Sequence, residues 1–108
     1  MIFISLEDFY AKTASCQSLT RQEERSYALQ MAQGDAGARQ RLIEGYLPMV
    51  SAHIRRLSSH MQSLTLVLYC VQALEQAVDS FNFLQDSETF THRLSWFLRQ
   101  ATTKYTVR

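Results

Sequence analysis

Turn-forming residues are scarce in this chain, with one proline and three glycines among 108 residues. An all-β fold needs many tight turns, so this scarcity argues against one and leaves helices joined by short connections. Cysteine is scarce too. Cys16 and Cys70 lie far apart in sequence, and neither belongs to a C-x-x-C, so neither a disulfide scaffold nor a zinc knuckle is indicated. Two unpaired thiols fit a reducing cytoplasm. The longest apolar run after the start, Leu66 to Val71, falls far short of the ~20 residues of a membrane span. The apolar start, Met1 to Leu6, has no basic leader and is stopped by Glu7 and Asp8, so it does not read as a signal sequence. An excess of one charge sign is missing as well. Eleven Lys/Arg against ten Asp/Glu give a formal net charge of +1, which excludes a uniformly basic nucleic-acid binder but not a local basic patch. What remains is a globular composition, 46% hydrophobic and 19% charged, at a length that suits one domain.

Catalytic signatures are also wanting. There is no H-E-x-x-H, G-x-S-x-G, P-loop or G-x-G-x-x-G. His53, His60 and His92 are scattered without ligand spacing, and each reads as a surface or core histidine. Glu23-Glu24 reads as a helix cap and Asp86/Glu88 as a solvated loop. The expectation is a protein that is not an enzyme and carries neither metal nor cofactor.

Five helical segments can be read, and the fold class expected is an all-α compact bundle of four to five helices. Residues 1–18 form an N-terminal helix and connector; residues 19–108 form the main helical domain. Ser5-Leu-Glu-Asp8 starts a helix that runs to about Thr13. Thr20-Arg-Gln-Glu23 is a capping box for a second helix, Arg21 to Gln33, ended by Gly34, and Asp35 caps the third. In the third, Ala38, Leu42, Ile43, Tyr46, Leu47, Val50, Ile54 and Leu57 form one apolar stripe. Pro48 predicts a kink or break near Leu47, with a second segment reaching about Ser58. The fourth helix spans about Leu64 to Phe81, and Thr91 caps a fifth that runs to about Tyr105. Ile43, Leu47, Val50, Ile54, Val71, Leu74, Val78, Phe81, Leu94 and Phe97 are the expected core.

Two helix faces are unusual. From Phe90 to Lys104 the chain has basic residues and no carboxylate, so the neutral total hides a basic C-terminal helix. Its apolar face is Leu94, Phe97, Leu98, Ala101 and Tyr105, and at about 100° per residue Trp96 points away from it, near His92, Arg99, Gln100 and Thr103. A Trp among cations and amides suits stacking on single-stranded nucleic acid; alternatively, Trp96 packs against the Asn82–Phe90 loop. The fourth helix is apolar nearly all round in its first half. There Thr65, Leu66, Leu68, Tyr69 and Cys70 lie either under the N-terminal helix, through Phe3, Leu6 and Phe9, or at the surface as a partner interface, most simply a homodimer. The interface is the expectation adopted.

Two stretches resemble a known family. The run from Leu19-Thr-Arg-Gln-Glu-Glu-Arg25 through Gln33-Gly-Asp-Ala-Gly-Ala-Arg-Gln-Arg-Leu-Ile-Glu-Gly-Tyr-Leu-Pro-Met-Val50 to Arg56 resembles regions 1.2 and 2.1 of the bacterial sigma-70 factors. The segments Ala73–Asn82 and Phe90-Thr-His-Arg-Leu-Ser-Trp-Phe-Leu-Arg-Gln-Ala-Thr-Thr-Lys104 resemble regions 2.2 to 2.4. The likeness implies a sigma region 2 fold in a transcription initiation module that binds the clamp of core RNA polymerase and melted promoter DNA at the −10 element. It places Trp96 and Phe97 at the upstream edge of the melted DNA, Gln100 and Thr103 at the upstream −10 base pair, and Arg99 and Lys104 at basic positions beside it. Arg93 stands where the family has an aromatic ring for the flipped adenine and is expected to hold phosphate. In the fourth helix the family's polar D-L-[IV]-Q-E-G run, which meets the clamp, is replaced by Thr65-Leu-Val-Leu-Tyr-Cys70, so Thr65, Leu66, Leu68 and Tyr69 are the expected partner-binding residues. No region 4 is present within these residues, and a second chain supplying it is an expected partner. A short natural protein, a split sigma factor and an excised fragment all fit that ending.

Overall fold

The computed structural model describes residues 2–84 and 88–107. The expected loop residue Asp86 lies outside them. Among the described residues five α-helices make up the architecture: α1 (Leu6–Ala14), α2 (Arg21–Ala32), α3 (Ala36–Arg55), α4 (Leu64–Ser80) and α5 (Phe90–Val107). A short 3-10 turn, Ser59–Met61, separates α3 from α4, and no strand occurs among the described residues. The chain is an all-α bundle, as its shortage of turn residues implies.

Helix boundaries follow from local caps. The Ser5 hydroxyl accepts from the Asp8 N–H at 3.0 Å, and the Asp8 carboxylate accepts from the Ile4 N–H at 3.0 Å, so each satisfies a donor left over at the start of α1. The capping box of α2 is formed, with Thr20 accepting from the Glu23 N–H at 3.1 Å and Glu23 accepting from the Thr20 N–H at 2.9 Å. Gly34 follows with φ 93°, in the left-handed region that a side chain would disfavour. Asp35 then caps α3 through the N–H groups of Gly37 and Ala38. Ser63 caps α4 by accepting from the Leu66 N–H at 3.2 Å.

Two boundaries differ from the sequence expectation. α3 runs through Pro48 without a break and stops at Arg55, so a separate second segment reaching about Ser58 does not form. Pro48 does remove one hydrogen bond. The turns on both sides nevertheless share one core stripe, with Leu47, Val50 and Ile54 all buried, and packing outweighs the lost bond. α5 starts at Phe90, one residue before the expected cap at Thr91; Thr89 caps it instead, accepting from the His92 N–H at 3.2 Å. The cause is tertiary. Phe90 is buried in an aromatic cluster, with ring centroids 4.6 Å from Tyr46, 5.3 Å from Phe81 and 4.9 Å from Phe83.

α4 and α5 make the most extensive helix pair; α3 lies against α2 and α4, and α1 spans α3 and α4. Ile43, Leu47, Val50, Ile54, Leu74, Val78, Phe81 and Leu94 are buried as expected, whereas Val71 and Phe97 are half-buried at its margin. Phe9 is fully buried, edge-on to Phe3 at 4.9 Å, so α1 contributes to the common core. Outside the apolar contacts, Arg39 grips Asp79 through two bonds of 2.7 and 2.9 Å and pins the start of α3 to the end of α4. Both ends of that pair are well exposed, so it contributes at most ~1 kcal/mol.

Gly45 has a packing role that periodicity does not reveal. A Cβ there would stand 2.4 Å from Leu19 Cγ, so the connector leading into α2 lies directly on α3 at this point. Gly45→Ala is expected to destabilise the protein by ~1–3 kcal/mol through overpacking. Leu74→Ala, which hollows the centre of the α4 face, should cost ~2–5 kcal/mol. Urea unfolding checks both; an unchanged midpoint in either variant contradicts the packing described.

Candidate nucleic-acid interface

Burying Leu94, Leu98 and Ala101 fixes the rotation of α5 about its axis. Trp96 is thereby turned outward and is 50% exposed. Its indole meets the Phe97 ring edge-on, with centroids 5.3 Å apart. It borders a groove of about 640 Å³ between α4 and α5, with Gln100 and Lys104 on the same wall and Tyr69, Gln72 and Gln76 on the other. The ring that Trp96 meets among the described residues is Phe97.

The groove's wall is chemically mixed. Trp96 and Phe97 offer aromatic surface, three glutamines offer amide donors and acceptors, and Lys104 offers positive charge. Gln72 and Gln76 stand four residues apart, so both project on one side of α4. Their spacing was visible in the sequence, but the apolar residues around them draw attention to the other faces of that helix.

The remaining predicted DNA-binding residues divide. Thr103 is exposed and donates its hydroxyl proton to the Arg99 carbonyl at 3.0 Å, leaving its oxygen as an outward acceptor. Arg99 lies on the far side of Trp96 from Lys104, toward α3, where it acts on His53. Arg93 does not join the groove. Its guanidinium is paired to Glu88 at 2.6 Å and lies 5.9 Å from the Phe81 ring centroid, so the phosphate-holding role expected of it would require that pair to open.

Of the predicted partner-binding residues in α4, Leu66 is fully buried in the core cluster that also holds Phe3 and Phe9, as is the adjoining Cys70, and neither is a surface residue. Leu68 is 53% exposed, Thr65 is half-buried, and the half-buried Tyr69 stacks edge-on against Tyr105 at 5.8 Å. The apolar excess of this half-helix is thus shared between the core and a small outer face centred on Leu68.

A polar link between α3 and α5 carries no signal in the sequence. His53, half-buried on α3, has its Nε2 2.9 Å from the Thr102 hydroxyl of α5. Burial, with Arg56 and Arg99 adding repulsion, holds the imidazole below the usual histidine value of 6.5. Burial pushes the Cys70 thiol of α4 up to about 11. The thiol is therefore protonated and is not an activated nucleophile. Among the described residues no group of three His, Cys, Asp or Glu is placed to hold a metal ion, and no helix is long and apolar enough to cross a membrane. No protein-family model and no solved structure matches the chain.

A pH effect follows from His53. Its folded pKa is depressed, so the folded protein binds this proton less readily than the unfolded chain. The resulting stability is present above the unfolded pKa and is lost as the pH falls through the folded one. NMR titration should place the His53 midpoint below 6.5, and His53→Gln should flatten the stability profile in this range. A midpoint above 6.5 contradicts the environment described.

Proposed function

We propose that this chain is a sigma-factor-like module of transcription initiation, with a region 2-like fold, that binds melted −10 DNA through α5 and the α4–α5 groove. The observation that carries the reading is the outward Trp96 beside Gln100 and Lys104. Exposing a large ring costs favourable burial, and stacking on an unpaired base recovers it while a nearby cation meets phosphate. The sequence resemblance puts the same residues at the −10 contact. Both lines meet on one helix, and the resemblance also makes the cytoplasm the expected compartment.

Binding to the core polymerase clamp is part of the proposal through α4. In place of the family's charged run, Thr65, Leu68 and Tyr69 would make a smaller and more apolar contact. The exposed Leu68 also supports the second reading, in which this face joins a second copy or another regulator. With Leu66 and Cys70 inside the core, that face is narrower than the sequence alone implied.

Trp96 is the only tryptophan, so its fluorescence reports on the site without labelling. Single-stranded oligonucleotides of −10-like sequence should quench it at low salt, and the affinity should fall as salt rises because bound phosphates release counterions. Measured by anisotropy of a labelled strand, Trp96→Ala should weaken binding about 5- to 150-fold, the equivalent of ~1–3 kcal/mol for one stacked base. Absence of quenching, or an unchanged affinity in the variant, overturns the reading.

A further inference from the structure

The groove between α4 and α5 gathers polar groups that the fold itself leaves unused. Gln72 and Gln76 stand exposed on one wall, and Gln100 and Lys104 on the other, beside Trp96. Among the described residues, none of these three glutamine amides has a hydrogen-bond partner, and Lys104 has no ion pair. No carboxylate lines the groove. α5 contains no acidic residue, and of the two on α4, Asp79 is turned to Arg39 of α3. The groove's volume, about 640 Å³, lies within the ~300–1,000 Å³ of ligand-sized clefts, which suits about one or two nucleotides and not a duplex.

A primary amide places a donor and an acceptor side by side. Its outer torsion is soft, so an amide with no partner in the protein can turn over and exchange the two. Every unpaired base offers the complementary arrangement on its pairing edge. Adenine has N6–H beside N1, cytosine N4–H beside N3, guanine N1–H beside O6 and thymine N3–H beside O4. In a duplex those edges are spent on the opposite strand. What the major groove still shows suits an amide chiefly at adenine. Stacking follows the same logic, because a base face is free to lie on Trp96 only when the base has left its own stack.

We propose that Gln72 and Gln76 make the groove selective for unpaired bases irrespective of their sequence. The inference rests on the DNA-binding reading above and gives α4 a part in it. One base stacks on Trp96, its pairing edge meets the amides of α4 across the groove, and a phosphate meets Lys104. The groove thereby senses that a strand is open rather than which bases it carries. The positive charge of Lys104 acts on duplex and single strand alike, so it supplies affinity without that choice.

Anisotropy of labelled DNA bound to the full chain at low salt, read beside Trp96 quenching, tests the inference. Single strands of −10-like, all-cytosine and all-thymine sequence should bind within about fivefold of one another. The −10-like duplex should bind at least about tenfold more weakly than its single strand. Gln72→Met and Gln76→Met together remove both amides at nearly constant volume. This double variant should lose about 5- to 20-fold on single strands and nothing on the duplex. Both positions are exposed, and circular dichroism verifies that the variant folds. In the unaltered chain, the side-chain amide resonances of Gln72 and Gln76 should move with the single strand and stay in place with the duplex. If single strands quench Trp96 while the double variant keeps full affinity, the inference is overturned and the DNA-binding reading stands. A preference beyond fivefold for the −10-like strand has the same result, because the groove then reads a particular sequence. A duplex that binds within tenfold of the single strand, or that loses as much in the double variant, also overturns the inference. If no strand quenches Trp96, both fall.

Discussion

The rotational setting of α5 on the bundle governs what the molecule can present. Leu94, Leu98 and Ala101 must leave water together, and they do so on one arc of the helix. At about 100° per residue that arc leaves no freedom for the rest. Trp96 and Gln100 turn outward, Phe97 and Lys104 border α4, and Arg99 and Thr102 turn toward α3. The small residues Ala73 and Ala101 at the α4–α5 seam leave the groove open between the helices. A slip of one residue in this packing would exchange Trp96 with Phe97 and remove the exposed ring from the groove.

Much of this was legible because it is encoded locally. Ser5, Thr20 and Asp35 carry capping chemistry in their own side chains, and the α3 stripe from Ala38 to Ile54 repeats at helical spacing. The outward Trp96 followed from the same arithmetic. Non-local effects were less legible. Pro48 signals a break when α3 is considered alone, yet burial of Leu47 and Val50 keeps the helix continuous. Thr91 looks like a cap until Phe90 is drawn into the rings of Tyr46, Phe81 and Phe83. The Gly45–Leu19 contact, the Arg93–Glu88 pair and the His53–Thr102 bond each join separate elements or sit at a loop, where periodicity carries no signal.

α3 and α5 are tied by a polar contact as well as by the common core. Thr102 of α5 meets His53 of α3 through one hydroxyl, with 2.9 Å between it and Nε2. Such a contact fixes position more strictly than apolar packing, because hydrogen bonds are directional. On the proposed function, this placement matters to binding: it helps set the rotation of α5 that leaves Trp96 and Lys104 to line the groove. One strand lying in the groove would then meet a ring, amides and the charge of Lys104.

The central claim is that the outward side of α5 and the groove beside it receive an unpaired nucleic-acid strand. Chemical-shift mapping of the full chain with a −10-like single-stranded DNA addresses it residue by residue. The account predicts perturbation of the Trp96 indole N–H and of the side-chain amides of Gln72, Gln76 and Gln100, with the buried core methyls of Leu74 and Val78 little changed. Shifts confined to the outer face of α4 around Leu68, or no shifts at low salt, would contradict it.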